Sequence, residues 1–222
     1  MKSNLIKISL LSLFVVFAVS CKNNQTVETT DAQNVIEQSD AATFYAVNTE
    51  ASQIEWDASK PTGTHTGFIK LNEGKLSLDQ NNAIESGEFV LDLTSITVTD
   101  LEGEYKASLE GHLKGTAEKG VTDFFDITNF PNGSFAVTGV RVADGKSFLQ
   151  GNLTLKEITK NIEFPVNLSL DGEKVILQSE KFAIDRTQWN INYGSKSIFA
   201  DLGDKFINDD VNLVIYLEAN KI

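Results

Sequence analysis

Beyond about residue 44, apolar and polar positions alternate with period two along most of the chain. Ala83–Leu93 sets Phe89, Leu91 and Leu93 on one face and Glu88, Val90 and Asp92 on the other. Asn161–Leu170 alternates longest, with Ile162, Phe164, Val166, Leu168 and Leu170 facing one way and Glu163, Asn167 and Ser169 the other. Shorter alternations occupy Ser52–Ser59, with Ile54 and Trp56, and Gly67–Leu78, where Asn72-Glu73-Gly74 reads as a turn. Others fall in Ser134–Val142, with Phe135 and Val137, in Phe148–Leu155, with Leu149, Leu153 and Leu155, and in Lys174–Ile184 and Val211–Leu217. Strict period two marks a strand with one buried and one wet face. At least eight such strands, joined by tight turns such as Asp171-Gly172, predict an all-β antiparallel barrel or sandwich.

A helical period occurs in one place. Leu101, Tyr105, Leu109 and Leu113 recur every four residues and share a face. Asp100 is placed to cap the helix, Glu102 and Glu104 suit its positive end, and Glu102–Lys106 and Glu110–Lys114 are favourable pairs. Gly111 and Gly115 weaken and end it. One short amphipathic helix in a barrel protein most simply covers an open end or packs on the wall.

The first 43 residues follow neither period. Met1–Ser20 has Lys2 and Lys7 at its start, an apolar run over Ile8–Val19, and small residues leading into Cys21. That is the form of an export signal, and the apolar run is too short to span a bilayer as a helix. Ala18-Val19-Ser20-Cys21 resembles a lipobox, in which the Cys is lipidated and becomes the first residue of the mature protein. Cys21 is the only cysteine, so no internal disulfide forms and the core must hold unaided. Residues 21–43 are rich in Asn, Gln, Thr, Asp, Glu and Ala, which predicts a disordered tether spanning roughly 25 Å root-mean-square. The folded domain is then 44–222.

Charge and composition narrow the partners. The 222 residues carry a net charge of −12, with 14 Phe and only 3 Pro. No basic block appears, which argues against nucleic acid or an anionic membrane surface as the main partner. His65 and His112 belong to no metal-ligand pattern, and no cofactor motif is present. The simplest role for each histidine is to tie a loop to a carbonyl or carboxylate, and the sharper one is a polar contact at a ligand's head. No Gly-x-Ser-x-Gly marks a nucleophile. Asp123, Asp126 and Asp185 are candidates for paired-carboxylate chemistry, against turn capping and ion pairing. Arg186 follows a strand directly, and either pairs with a carboxylate or meets an anionic head at a barrel mouth.

Three blocks carry a resemblance. They are Gly63-Thr64-His65-Thr66-Gly67, then Gly111-His112-Leu113-Lys114 with Asp123-Phe124-Phe125-Asp126 and Asn129-Phe130-Pro131, then Gly151-Asn152-Leu153-Thr154-Leu155-Lys156 with Thr159-Lys160 and Ile184-Asp185-Arg186. In this order and spacing they resemble the YceI-like family of bacterial envelope proteins, over about residues 44–218. Two departures stand out: Gly115–Thr122 is inserted where the family joins its elements closely, and Glu157 stands where the family usually has Gly. The resemblance implies an eight-stranded antiparallel lipocalin-like barrel with one short helix, holding a polyisoprenoid or similar long-chain lipid in an apolar interior.

On that reading the protein is not an enzyme. It is a lipoprotein of the bacterial envelope, anchored through Cys21, facing the periplasm, and able to pair with a second copy. The lipid would lie against Phe89, Leu91, Leu93, Val137, Leu153, Ile162, Phe164, Val166, Leu213 and Ile215, with His65, His112 and Arg186 as polar contacts. Two other classes stay open: a filled barrel serving as a structural or interaction module, and a hydrolase acting on envelope lipid.

Overall fold

The computed structural model of the chain describes residues 26–117 and 124–222. The expected export signal at Met1–Ser20, Cys21 and Asp123 lie outside the described residues. Within them the strands are β1 (Thr29–Asp31), β2 (Thr43–Val47), β3 (Gln53–Lys60), β4 (Gly63–Leu78), β5 (Ile84–Val98), β6 (Asn132–Ala143), β7 (Lys146–Leu155), β8 (Ile158–Asp171), β9 (Lys174–Ser179), β10 (Phe182–Asp185) and β11 (Asp210–Lys221). One helix, α1 (Gly103–Lys114), lies between β5 and β6.

The pairing closes on itself. β3 pairs with β4, successive neighbours pair through to β9, β9 pairs with β11, and β11 returns to β3, all antiparallel. Eight positions therefore make a ring, as the alternation and the resemblance together led one to expect. β2 extends the position of β3 between β4 and β11, and β10 extends that of β9 along β11. The inward faces are the alternating apolar sets: Leu93, Val98 and Val137 are fully buried, and Phe164 is 1% exposed.

Two local expectations change. Asn72-Glu73-Gly74 is no turn: β4 runs straight through it, and the extra residue is absorbed as a bulge against β5 between Leu71 and Glu73. Pairing on both sides of the tripeptide outweighs its turn chemistry. In α1, Tyr105 is 80% exposed while Leu109 and Leu113 pack on the core. Four-residue steps drift around a 3.6-residue helix, so the first turn rotates away from the seam that the last two leucines define. Asp100 does not cap α1. It accepts hydrogen bonds from the Thr66 amide and His65 Nδ1, and Glu102 stands at the N-cap without a side-chain bond. The helix ends as expected, with Gly115 in the left-handed conformation at φ 72°.

The larger correction concerns the tether. The stretch from Thr26 to Ala42 does not hang free. The Val27 amide donates to the Ala183 carbonyl at 2.7 Å, and β1 pairs with the first half of β8 at Ile162, Asn161 and Lys160. β1 thus fills the seam where β10 has parted from β8. The chain then crosses the outside of the wall. Gln33 exchanges two hydrogen bonds with the outward-facing amide of Asn152 on β7, the Ile36 amide reaches the Val137 carbonyl, and Ser39 meets Glu85. The physical reason is that unpaired strand edges at a seam need backbone partners, and any non-proline sequence can supply them. A polar composition signals only that the segment has no core of its own.

Candidate functional site

Within the ring lies an apolar cavity of about 150 Å³. It occupies the half nearer the β3–β4 and β7–β8 turns. Four phenylalanines, from β5, β6, β8 and β10, run across the interior. Phe89 and Phe135 have ring centroids 6.4 Å apart, Phe135 and Phe164 5.6 Å, and Phe164 and Phe182 stack at 4.4 Å. Small residues beside them let the rings lie flat. A Cβ on Gly151 would fall 2.1 Å from the Phe135 ring, and one on Gly87 would fall 2.9 Å from Phe89 and 3.0 Å from Val137.

At the end nearer the β3–β4 and β7–β8 turns, opposite the phenylalanine row, the cavity has a lid. Leu113 from the last turn of α1, Phe124 and Phe125, and Ile191 and Ile207 from the loop between β10 and β11 all face inward. The lid is tied together by its backbone: the Phe125 and Ile127 amides donate to the Leu113 and Lys114 carbonyls. Trp189, fully buried, donates its Nε1–H to the Leu153 carbonyl at 2.9 Å.

Eight of the ten apolar residues picked out from the sequence lie on this wall: Phe89, Leu91, Leu93, Leu153, Ile162, Phe164, Leu213 and Ile215. Val137 and Val166 do not. Both are buried, at 0% and 3% exposure, but they sit farther along the barrel, beyond the row of phenylalanine rings. The alternation that selects an inward face says nothing of depth along the axis.

The polar candidates separate. His65 is near the start of β4, paired with Ala58, and its Nδ1 lies 2.8 Å from Asp100 Oδ2. It is not on the cavity wall, and the Trp56 indole covers Gly67, the next inward position. His112 lies off the wall too, with its ring stacked on Tyr193 at 6.5 Å. Arg186 does line the cavity and is 4% exposed. Its guanidinium donates to the carbonyls of Asn208, Ile191 and Ile207 and sits 3.5 Å from Asp209. Burial pushes its pKa down, while Asp209 and Asp185 pull it back up. The ion therefore pins the lid loop to the barrel. Of the carboxylates, Asp185 accepts from the Thr187 amide and hydroxyl and caps the turn Arg186–Trp189. Asp126 is 4% exposed and accepts from Asn129.

The helical pattern points to α1 as a cover for an open end, but the rest of the lid leaves no such mark in the sequence. Phe124 and Phe125 stood out as an aromatic pair, yet nothing in their spacing aims them into a barrel. Ile191 and Ile207 lie in aperiodic loops and give no signal at all.

Comparison with known proteins agrees with this geometry. The YceI-like domain model matches residues 45–219. Among solved structures, BcnA of Burkholderia cenocepacia superposes with a TM-score of 0.59 at 21% identity, covering 78% of this chain and 99% of its own. A polyisoprenoid binding domain from Saccharophagus degradans, implicated in plant cell wall breakdown, superposes with a TM-score of 0.56 at 14% identity, covering 80% of this chain and 98% of its own. No curated protein matches the chain. With most of its length matched by the family model and its ring of strands shared with these structures, the chain belongs to the YceI-like family.

Proposed function

We propose that the protein binds an isoprenoid or similar amphipathic lipid inside the barrel, as a carrier or store in the bacterial envelope. The observation that carries this reading is the cavity: an apolar space walled by aliphatic and aromatic side chains and closed by a lid of loops and one helix end. A space of that kind selects hydrocarbon, because each buried CH₂ contributes about 0.8 kcal/mol. The polyisoprenoid-binding neighbour supports the same class of guest.

The volume sets a condition. About 150 Å³ is the size of cavity that accepts one benzene. An isoprene unit has nearly as many carbons, so the cavity as it stands accommodates roughly one unit. A longer chain enters only as the phenylalanine row swings or the lid opens. A filled barrel acting as an interaction module draws its support from the same small volume.

Native mass spectrometry of the chain from Lys22 onward, purified from bacterial extract, separates the two. A discrete added mass that extracts into organic solvent as an isoprenoid is the expected result. A bare protein that stays bare after incubation with isoprenoid alcohols would favour the filled barrel. Filling the space tests the site directly: Leu91→Trp should abolish uptake while the fold persists, and undiminished uptake would remove Leu91 from the binding wall.

The same reading makes Cys21 a lipid anchor and places the barrel at a periplasmic membrane face. Five residue steps separate Cys21 from Thr26, which is already bridged to Ala183 on the wall. At full extension they reach at most about 18 Å. Mass spectrometry of the protein from native membranes should find acyl chains on Cys21, and an unmodified mature N-terminus elsewhere in the chain would overturn the anchor.

A further inference from the structure

Beside the lid, outside the ring, a second recess of about 480 Å³ opens to solvent. That volume falls in the range of roughly 300–1,000 Å³ typical of small-molecule sites. Its wall differs in kind from the cavity's. Asp126, Lys156 and Asn192 supply polar groups, and Phe130, Tyr193 and Phe199 supply aromatic faces. Tyr193 and Phe199 are 46% and 48% exposed.

The polar groups are incompletely satisfied. Asp126 is 4% exposed, and its Oδ2 accepts from Asn129 at 2.9 Å. Its Oδ1 is buried and has no hydrogen-bond partner among the described residues. The Asn192 amide donates to Asn190 Oδ1 at 2.8 Å, while its own Oδ1 is also buried without a partner. Lys156 donates one N–H to the Phe124 carbonyl at 3.0 Å, which leaves further N–H groups on the same ammonium. Buried carboxylate and amide oxygens without donors are costly, and native structures rarely leave them so.

The chemistry of the wall selects what would complete it. Two open acceptors call for donors, and the ammonium calls for an acceptor, so one ligand must offer both. Asp126 and Lys156 offset each other, so a cation gains little net attraction and an anion meets the open carboxylate oxygen. Aromatic faces suit a ring with flat CH surfaces. We propose that this recess binds a neutral, hydroxyl-rich ring, that is a sugar, whose hydroxyls donate to Asp126 and Asn192 and accept from Lys156, with Tyr193 and Phe199 against its CH faces.

The sugar has two possible sources, a free saccharide or the head of a lipid whose chain enters the cavity. The two spaces are neighbours. Ile191 faces the cavity and Asn192 faces the recess, while Phe124 lines the cavity and holds Lys156 through its carbonyl. The sugar site does not depend on the lipid reading, because sugars without a chain test it alone.

The test is amide-resolved NMR titration of the chain from Lys22 onward. The probes are the methyl glycosides of glucose, galactose and mannose, N-acetylglucosamine, and octyl glucoside below its micelle concentration. At least one sugar should shift the amides of Asp126, Lys156 and Asn192 saturably. Asn192→Ala and Lys156→Met, both outside the ring, should each weaken that binding about tenfold, the equivalent of one lost hydrogen bond to a buried partner. Tighter binding of octyl glucoside than of methyl glucoside assigns the site to a lipid head, and equal binding assigns it to a free sugar. No shift from any of the sugars up to about 50 mM, well above the millimolar range of weak small-ligand binding, would overturn the proposal. So would unchanged affinity in both well-folded variants, or octyl glucoside shifts confined to cavity residues such as Phe164.

Discussion

Glu157 shows how a single departure from a family pattern acquires a physical meaning. β7 and β8 are joined by two residues, Lys156 and Glu157, at φ 47° and 63°. Two positive values in a two-residue hairpin favour Asn-Gly, and this chain places Glu where the family usually has Gly. The left-handed conformation costs a residue with a Cβ about 1–2 kcal/mol. Glycine would recover that and give back about 0.4–1 kcal/mol in unfolded-chain entropy. Glu157→Gly should therefore raise stability by roughly 0.5–1 kcal/mol, read as a higher urea midpoint at unchanged slope. Arg186 works in the opposite sense. Replacing it with Met strands three carbonyls and the Asp209 carboxylate, and should cost about 3 kcal/mol or more. Lysine should recover little of this, because one ammonium does not reproduce the planar fork. A urea midpoint unmoved by Arg186→Met would show that the lid loop holds without it.

Among the elements, the sequence was most legible where periodicity was longest. β5 and β8 were readable as strands, and the residues set on their inward faces are buried or pack on the core except Leu170, 44% exposed near the end of β8, because a long alternation leaves one face to bury. α1 was readable as a helix, but its packed face was legible only from Leu109 and Leu113. β1 was illegible: three residues held by backbone bonds leave no side-chain pattern. The chain just after β1 is held through Gln33 by Asn152, an outward-facing position of β7 whose polarity alone does not mark it as a docking point. That residue now supports a prediction. Asn152→Ala removes both of its bonds to Gln33 and the one it accepts from Asn161. Hydrogen exchange should then quicken across residues 26–39 while β5 and β6 stay protected. Uniform exchange rates in the variant and the parent would mean that the wall crossing is held by something else.

For the whole molecule, the pattern in the sequence specified a barrel or sandwich and the resemblance specified eight positions, which is the ring that forms. What the chain order could not show is how far the interior is filled. That depends on where ring planes lie, and the flat packing of Phe135 over Gly151 is set by three dimensions at once. The same ring has a consequence for its own assembly. β1 finds its partners at Lys160–Ile162, and Thr26 meets Ala183, so a segment synthesised early docks on positions made more than a hundred residues later. β2 likewise waits for Ala219–Lys221. Contacts of such sequence separation form late and slowly. A chain that emerges amino end first therefore leaves residues 26–31 without their partners until β8 and β10 have been made, and the edge of β2 that faces β11 open until the last strand arrives.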